Sequence, residues 1–161
     1  MKNLRILFVL LLLAPIFVST SCKKCKVDAV DVNSGDIVED FVLYPKSGYM
    51  TLNTGGNYVF DGINPNPYYS NKFQVSINGG AKTPVNWNSH TVLANPVKAK
   101  CNASFERNVV IDHGAQTVTY TLKVTQCDNC KEERYTENYV LVPKFPSTYA
   151  VNISHTIVDK E

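Results

Sequence analysis

The chain has 161 residues, with sixteen Lys and Arg against fourteen Asp and Glu. That length builds one domain with a real core and is too short for two large ones. So balanced a charge excludes the usual electrostatic case for nucleic acid, which needs a basic face to displace counterions from phosphate.

Met1-Lys2-Asn3-Leu4-Arg5 carries two positive charges and no acid, and an apolar run from Ile6 to Val18 follows. Ser19, Thr20 and Ser21 are small, and Cys22 comes directly after them. A charged end, an apolar stretch too short for a comfortable membrane span and a small-residue cleavage site read together as a signal peptide over residues 1–21. With a cysteine in the next position, the leader resembles that of a bacterial lipoprotein. The resemblance implies cleavage before Cys22, attachment of lipid such as palmitate to that residue, and a membrane as partner through the anchor. It also implies the cell envelope of a Gram-negative-type bacterium. Ser19 stands where such leaders usually carry Leu, so ordinary cleavage without lipid stays open.

Residues 22–26 form a tether. Its Lys23, Lys24 and Lys26 are either solvated or in contact with anionic headgroups, at about 1 kcal/mol each. Lysines stand here in place of the acids that direct some lipoproteins outward, which favours the periplasmic side. Without residues 1–21, which hold Lys2 and Arg5, fourteen bases meet fourteen acids and the net charge is zero.

From residue 27 to 158 the pattern is that of a single β domain: short alternating runs of Val, Ile, Thr, Tyr and Phe between Gly, Pro, Asn and Asp clusters. Strands are expected near residues 27–32, 37–44, 48–52, 57–61, 72–78, 97–105, 107–112, 116–126, 132–142 and 149–158. No stretch carries a sustained helical period. In Val118-Thr119-Tyr120-Thr121-Leu122-Lys123-Val124 the apolar residues fall on even positions, so one face is buried and one is wet. Taking Asp128-Asn129 as a two-residue turn sets Leu122 opposite Tyr135 and Val118 opposite Tyr139, with Lys123 unfavourably opposite Arg134. Many short strands with no helices to cover a parallel sheet point to two antiparallel sheets packed face to face, an immunoglobulin-like β-sandwich.

The segment from about Gly48 to Gln126 resembles the BACON family of immunoglobulin-like modules. The resemblance is carried by Asn102-Ala103-Ser104-Phe105-Glu106-Arg107, by Gly114, by the closing Val124-Thr125-Gln126, and by Gly55-Gly56 and Trp87. It implies a β-sandwich and a role in sugar binding or spacing, and brings no ligand residues with it. The stretch from Gly62 to Lys82 is more irregular than the family pattern, and the chain runs on past Cys127 for about two more strands.

Cys22-Lys23-Lys24-Cys25 and Cys127-Asp128-Asn129-Cys130 have a spacing that marks zinc sites in cytosolic proteins. An exported chain meets an oxidising compartment instead, and lipidation consumes Cys22. That leaves Cys25, Cys101, Cys127 and Cys130 as disulfide candidates. Cys127 with Cys130 across the turn is the simplest pair, leaving Cys25 with Cys101. On the chain-entropy model the long loop contributes about 4.5 kcal/mol and the short one about 2. A redox role for Cys127 and Cys130 would need a helix start to lower a thiol pKa, and a hairpin has none.

His90, His113 and His155 sit at no metal-ligand spacing. Asp112-His113 resembles half a catalytic dyad, but neighbouring strand residues point to opposite faces, and no GxSxG elbow is present. Neither enzyme chemistry, nor a metal, nor a cofactor is expected. Asn64-Pro65-Asn66-Pro67-Tyr68-Tyr69-Ser70-Asn71 is the one stretch with recognition chemistry. Prolines stiffen it, and Asn64, Asn66, Tyr68 and Tyr69 offer amides and flat faces to a neutral sugar. Trp87 in Trp87-Asn88-Ser89-His90 is either a second such loop or core. The expected function is an exported, lipid-anchored accessory domain with a structural or protein-interaction role, partnered by other envelope proteins. A carbohydrate-binding module for a neutral glycan is the alternative.

Overall fold

The computed structural model describes residues 27, 30–45, 52–63, 73–128 and 130–160. Among these there is no helix, and twelve strands carry the fold. In chain order they are β1 (Val32–Gly35), β2 (Phe41–Pro45), β3 (Tyr58–Phe60), β4 (Phe73–Ile77), β5 (Thr83–Pro84) and β6 (His90–Ala94). They continue with β7 (Val97–Lys100), β8 (Ser104–Asp112), β9 (Thr117–Cys127), β10 (Glu133–Thr136), β11 (Tyr139–Pro143) and β12 (Ala150–Lys160).

The strands form sheets ordered β1-β8-β9-β12, β10-β7, β11-β6-β3 and β2-β4-β5. The antiparallel β8–β9 pair is the centre of the first: alternation in β9 puts Val118, Tyr120, Leu122 and Val124 on one buried face. β1 joins β8 and β12 joins β9 in parallel, so this sheet is mixed where antiparallel pairing was expected. β1 stops at Gly35, whose φ is 73°. A Cβ there would lie 2.0 Å from the Val109 carbonyl oxygen, so only glycine lets the two backbones approach so closely.

Two hydrophobic clusters explain the layering. Leu93, Val140 and Val142 pack with Val109, Tyr120, Leu122 and Ile153, joining one face of the β11-β6-β3 sheet to the mixed sheet. Phe60, Val92, Ala94 and Leu141 pack with Phe73 and Val75, joining its other face to the β2-β4-β5 sheet. β11-β6-β3 is therefore a middle layer, and Val92-Leu93-Ala94 and Val140-Leu141-Val142 run apolar without a break because both faces of the layer are buried there. Full burial of each such side chain contributes about 1.5–3 kcal/mol.

Several expectations are corrected. β5 and β6 were not expected, residues 104–112 form one strand and 97–100 another, and the expected strand over 132–142 is split in two at Asn138 (φ 49°). The expected strand at 48–52 lies mostly outside the described residues. The hairpin about Asp128-Asn129 does not form. Leu122 lies opposite Arg107, and Tyr135 lies opposite Lys98 in β7. Lys123 thereby escapes Arg134 and meets Glu106 at 2.9 Å.

Candidate functional site

Of the residues singled out for chemistry, Cys22, Cys25, Asn64, Asn66, Tyr68 and Tyr69 lie outside the described residues. Trp87 is half-buried and packs edge-on to Phe73, with ring centroids 6.2 Å apart. On its other side is Gly62, where a Cβ would come within 2.7 Å of the Trp87 Cβ. The indole thus belongs to the second core cluster.

The cysteines pair otherwise than expected. Cys101 and Cys130 are joined, with Cα atoms 6.1 Å apart, which rules out both Cys127 with Cys130 and Cys25 with Cys101. The reason is topological: β9 is flanked by β8 and β12, so Cys127 and Cys130 never face each other across a ladder. Cys101 and Cys130 instead close the end of the β7–β10 pair, where the Cys101 amide also donates to the Glu132 carbonyl at 2.9 Å. Cys127 is disulfide-bonded as well.

The histidines are engaged locally. His90 Nδ1 shares a hydrogen bond with the Ser89 hydroxyl, and His113 Nδ1 with that of Tyr149, each 2.9 Å. Asp112 accepts from the Ala115 amide at 2.8 Å and caps the β8–β9 turn. Among the described residues no three His, Cys, Asp or Glu side chains are grouped to hold a metal.

Polar clusters missed by sequence reasoning brace the first half of β8 and the Cys127 end of β9. Arg107 donates to Asp31 through Nη1 and Nη2, each 3.0 Å, and through Nη2 to Asn138 at 2.9 Å. The Tyr120 hydroxyl donates to the Asn138 carbonyl at 2.9 Å, and burial raises its pKa although Arg107 opposes the shift. Burial and then Glu137 push Tyr135 up to about 12, and its hydroxyl donates to the Leu52 carbonyl. At the Cys127 end of β9 Lys100 binds Asp128 and Asp159, and Gln126 donates to Asp159 at 2.9 Å.

A cleft of about 250 Å³ opens between the mixed sheet and the middle layer, lined by Asp61, Thr91, Ser147 and Tyr149 among others. It falls below the roughly 300–1,000 Å³ usual for ligand pockets. A hollow of about 480 Å³ beside Arg107, lined by Asp31, Phe41, Asn138 and Tyr139 among others, falls within that range, and a further candidate surface lies along β12. This eleven-residue strand is the longest edge strand described, and Ser154 through Lys160 are all exposed. Its even residues face β9: the Ala150 amide donates to the Gln116 carbonyl, and the Lys160 carbonyl accepts from the Asp128 amide. Its odd residues therefore turn their backbone groups outward, as at Ile153, whose carbonyl accepts from Asn57 Nδ2 at 3.1 Å. Beyond Ile153, the N–H and C=O of His155, Ile157 and Asp159 point away from the sheet. Ile157 and Val158 are 44% and 43% exposed. Such an edge is a ready template for another strand.

Comparison of the chain with protein-family models, curated proteins and solved structures found no match.

Proposed function

We propose that this chain is an exported, lipid-anchored accessory domain of the cell envelope, without catalysis, that docks a neighbouring envelope protein along the outer edge of β12. The observation that carries the docking reading is the run of seven exposed residues, Ser154–Lys160, on a strand whose alternate backbone groups face outward. Natural edges are usually blunted by shortness, proline, bulges or lysine. β12 is long, contains no proline, and carries no acid or lysine before Asp159. An extended segment of a partner gains main-chain hydrogen bonds there, and the side chains of Ile157 and Val158 add apolar contact.

The anchor and the compartment rest on the leader and Cys22, and the lysines of the tether favour the periplasmic side. We read the mixed sheet and the β11-β6-β3 sheet as an immunoglobulin-like sandwich extended by the β2-β4-β5 layer. The glycan reading rests on residues 64–71, while Trp87 is packed against the second core cluster.

Ile157→Pro tests the docking. Proline removes an outward N–H and no rung to β9, so the domain keeps its melting temperature. In a mild-detergent extract the wild-type chain should migrate in a complex on a native gel, and the Ile157→Pro chain as a monomer. A monomeric wild type, or a complex unmoved by proline, would contradict the proposal.

A further inference from the structure

We infer that the strand docked on β12 is the β12 of a second copy of this chain, the two running antiparallel about a two-fold axis at Ile157. The inference rests on the docking edge proposed above and names its occupant. Identical edges related by a two-fold axis run antiparallel, and residues that turn their backbone groups outward then lie opposite one another and exchange both hydrogen bonds. On β12 these are the odd residues. The Ile153 carbonyl is already taken by Asn57 Nδ2, which leaves His155, Ile157 and Asp159.

The side chains of these three residues select the axis. They share one face of the strand, beside Leu122, Val124 and Gln126 of β9. His155 is exposed, and its imidazole has no partner among the described residues. Asp159 accepts from Lys100 and Gln126 through Oδ1 alone, at 3.1 and 2.9 Å, and its side chain is 55% exposed. Its Oδ2 is open to a further donor.

An axis at Ile157 sets His155 of each copy opposite Asp159 of the other, so that an imidazole N–H donates to the open carboxylate oxygen on both sides of the axis. Ile157, exposed in one copy, is covered by its own counterpart. On the other face Val158 meets Thr156, and Ser154 meets Lys160. No other axis brings His155 and Asp159 together. An axis at His155 sets Asp159 against Val151, one at Thr156 sets it against Ile153, and one at Val158 sets it against Ile157. An axis at Asp159 brings two carboxylates face to face, which is destabilising.

Two differently tagged forms of the full-length chain, produced together and extracted in mild detergent, test the pairing. The wild-type forms should co-purify. Ile157→Lys in both forms, or Ile157→Asp in both, places like charges on the axis, and recovery of the second tag should fall about tenfold. One form with Ile157→Lys and the other with Ile157→Asp restores an attractive pair there and should regain most of the loss. His155→Asp in both forms, which sets carboxylate against carboxylate, should also lower recovery about tenfold. Recovery unmoved by His155→Asp, or no regain in the mixed pair of Ile157 variants, overturns the inference. Wild-type forms that do not co-purify, on a chain that travels with another protein until Ile157→Pro releases it, overturn the self-pairing and leave the docking edge standing. A monomeric wild type overturns both.

Discussion

Arg107 shows how one side chain can join three stretches of chain. Its side chain is 11% exposed and its fork reaches Asp31 before β1 and Asn138 before β11. Asp31 in turn accepts from the Phe105 amide at 3.2 Å. Replacing the guanidinium by a thioether of similar length leaves the Asn138 Oδ1 without its donor in a buried place and frees the segment that leads into β1. Arg107→Met should therefore cost about 2–3 kcal/mol, read as a lower urea midpoint at pH 7 with an unchanged slope. An unchanged midpoint would mean that the cluster braces nothing.

At the scale of elements, the closed end of the mixed sheet is tied by charge. Gln126 and then Lys100 hold Asp159 below its ordinary 3.8, and Asp128 and then Asp159 hold Lys100 above its ordinary 10.5. The depressed carboxylate contributes fully above pH 3.8 and loses its contribution as pH falls through its lower folded value. The raised lysine contributes below pH 10.5 and loses its share as pH rises through its higher folded value. Melting temperatures taken from neutral pH down to about pH 2 should thus fall more steeply below about pH 4 for the wild type than for Asp159→Asn. Parallel profiles would assign the acid sensitivity to other carboxylates.

The same elements show what was legible. β9 was, because a strand with one wet face alternates, whereas β8 was expected only as its 107–112 part, with its start joined to β7. β6 was not: Thr91-Val92-Leu93-Ala94 is buried on both faces and so has no period, and the turn residues before it read as loop. The unfavourable Lys123–Arg134 pairing was a valid warning against the hairpin, since Lys123 has its acid in Glu106. β12 was legible as a strand, but its place at an edge was not, because an edge is a property of the sheet order.

For the whole molecule, the three layers account for the position of the Cys101–Cys130 bond. The β7–β10 ribbon has only two strands, and a two-stranded ribbon is marginal alone. The bond closes it across a separation of 29 residues, which on the chain-entropy model stabilises by about 3.6 kcal/mol. Cys101→Ala with Cys130→Ala should lower stability by about that amount in a urea titration, with amides of β10 the first to exchange. A loss well under 1 kcal/mol would show that packing alone holds the ribbon.

The central claim is that β12 meets a partner in the envelope, and photo-crosslinking inside cells tests it most directly. A crosslinker at Thr156 or Ile157 should form an adduct with one defined envelope protein. One at Val110, exposed on the interior strand β8, should form none, and Ile157→Pro should abolish the Thr156 adduct. Adducts at Val110 as strong as those on β12, or none along β12 at normal abundance of the chain, would contradict the account.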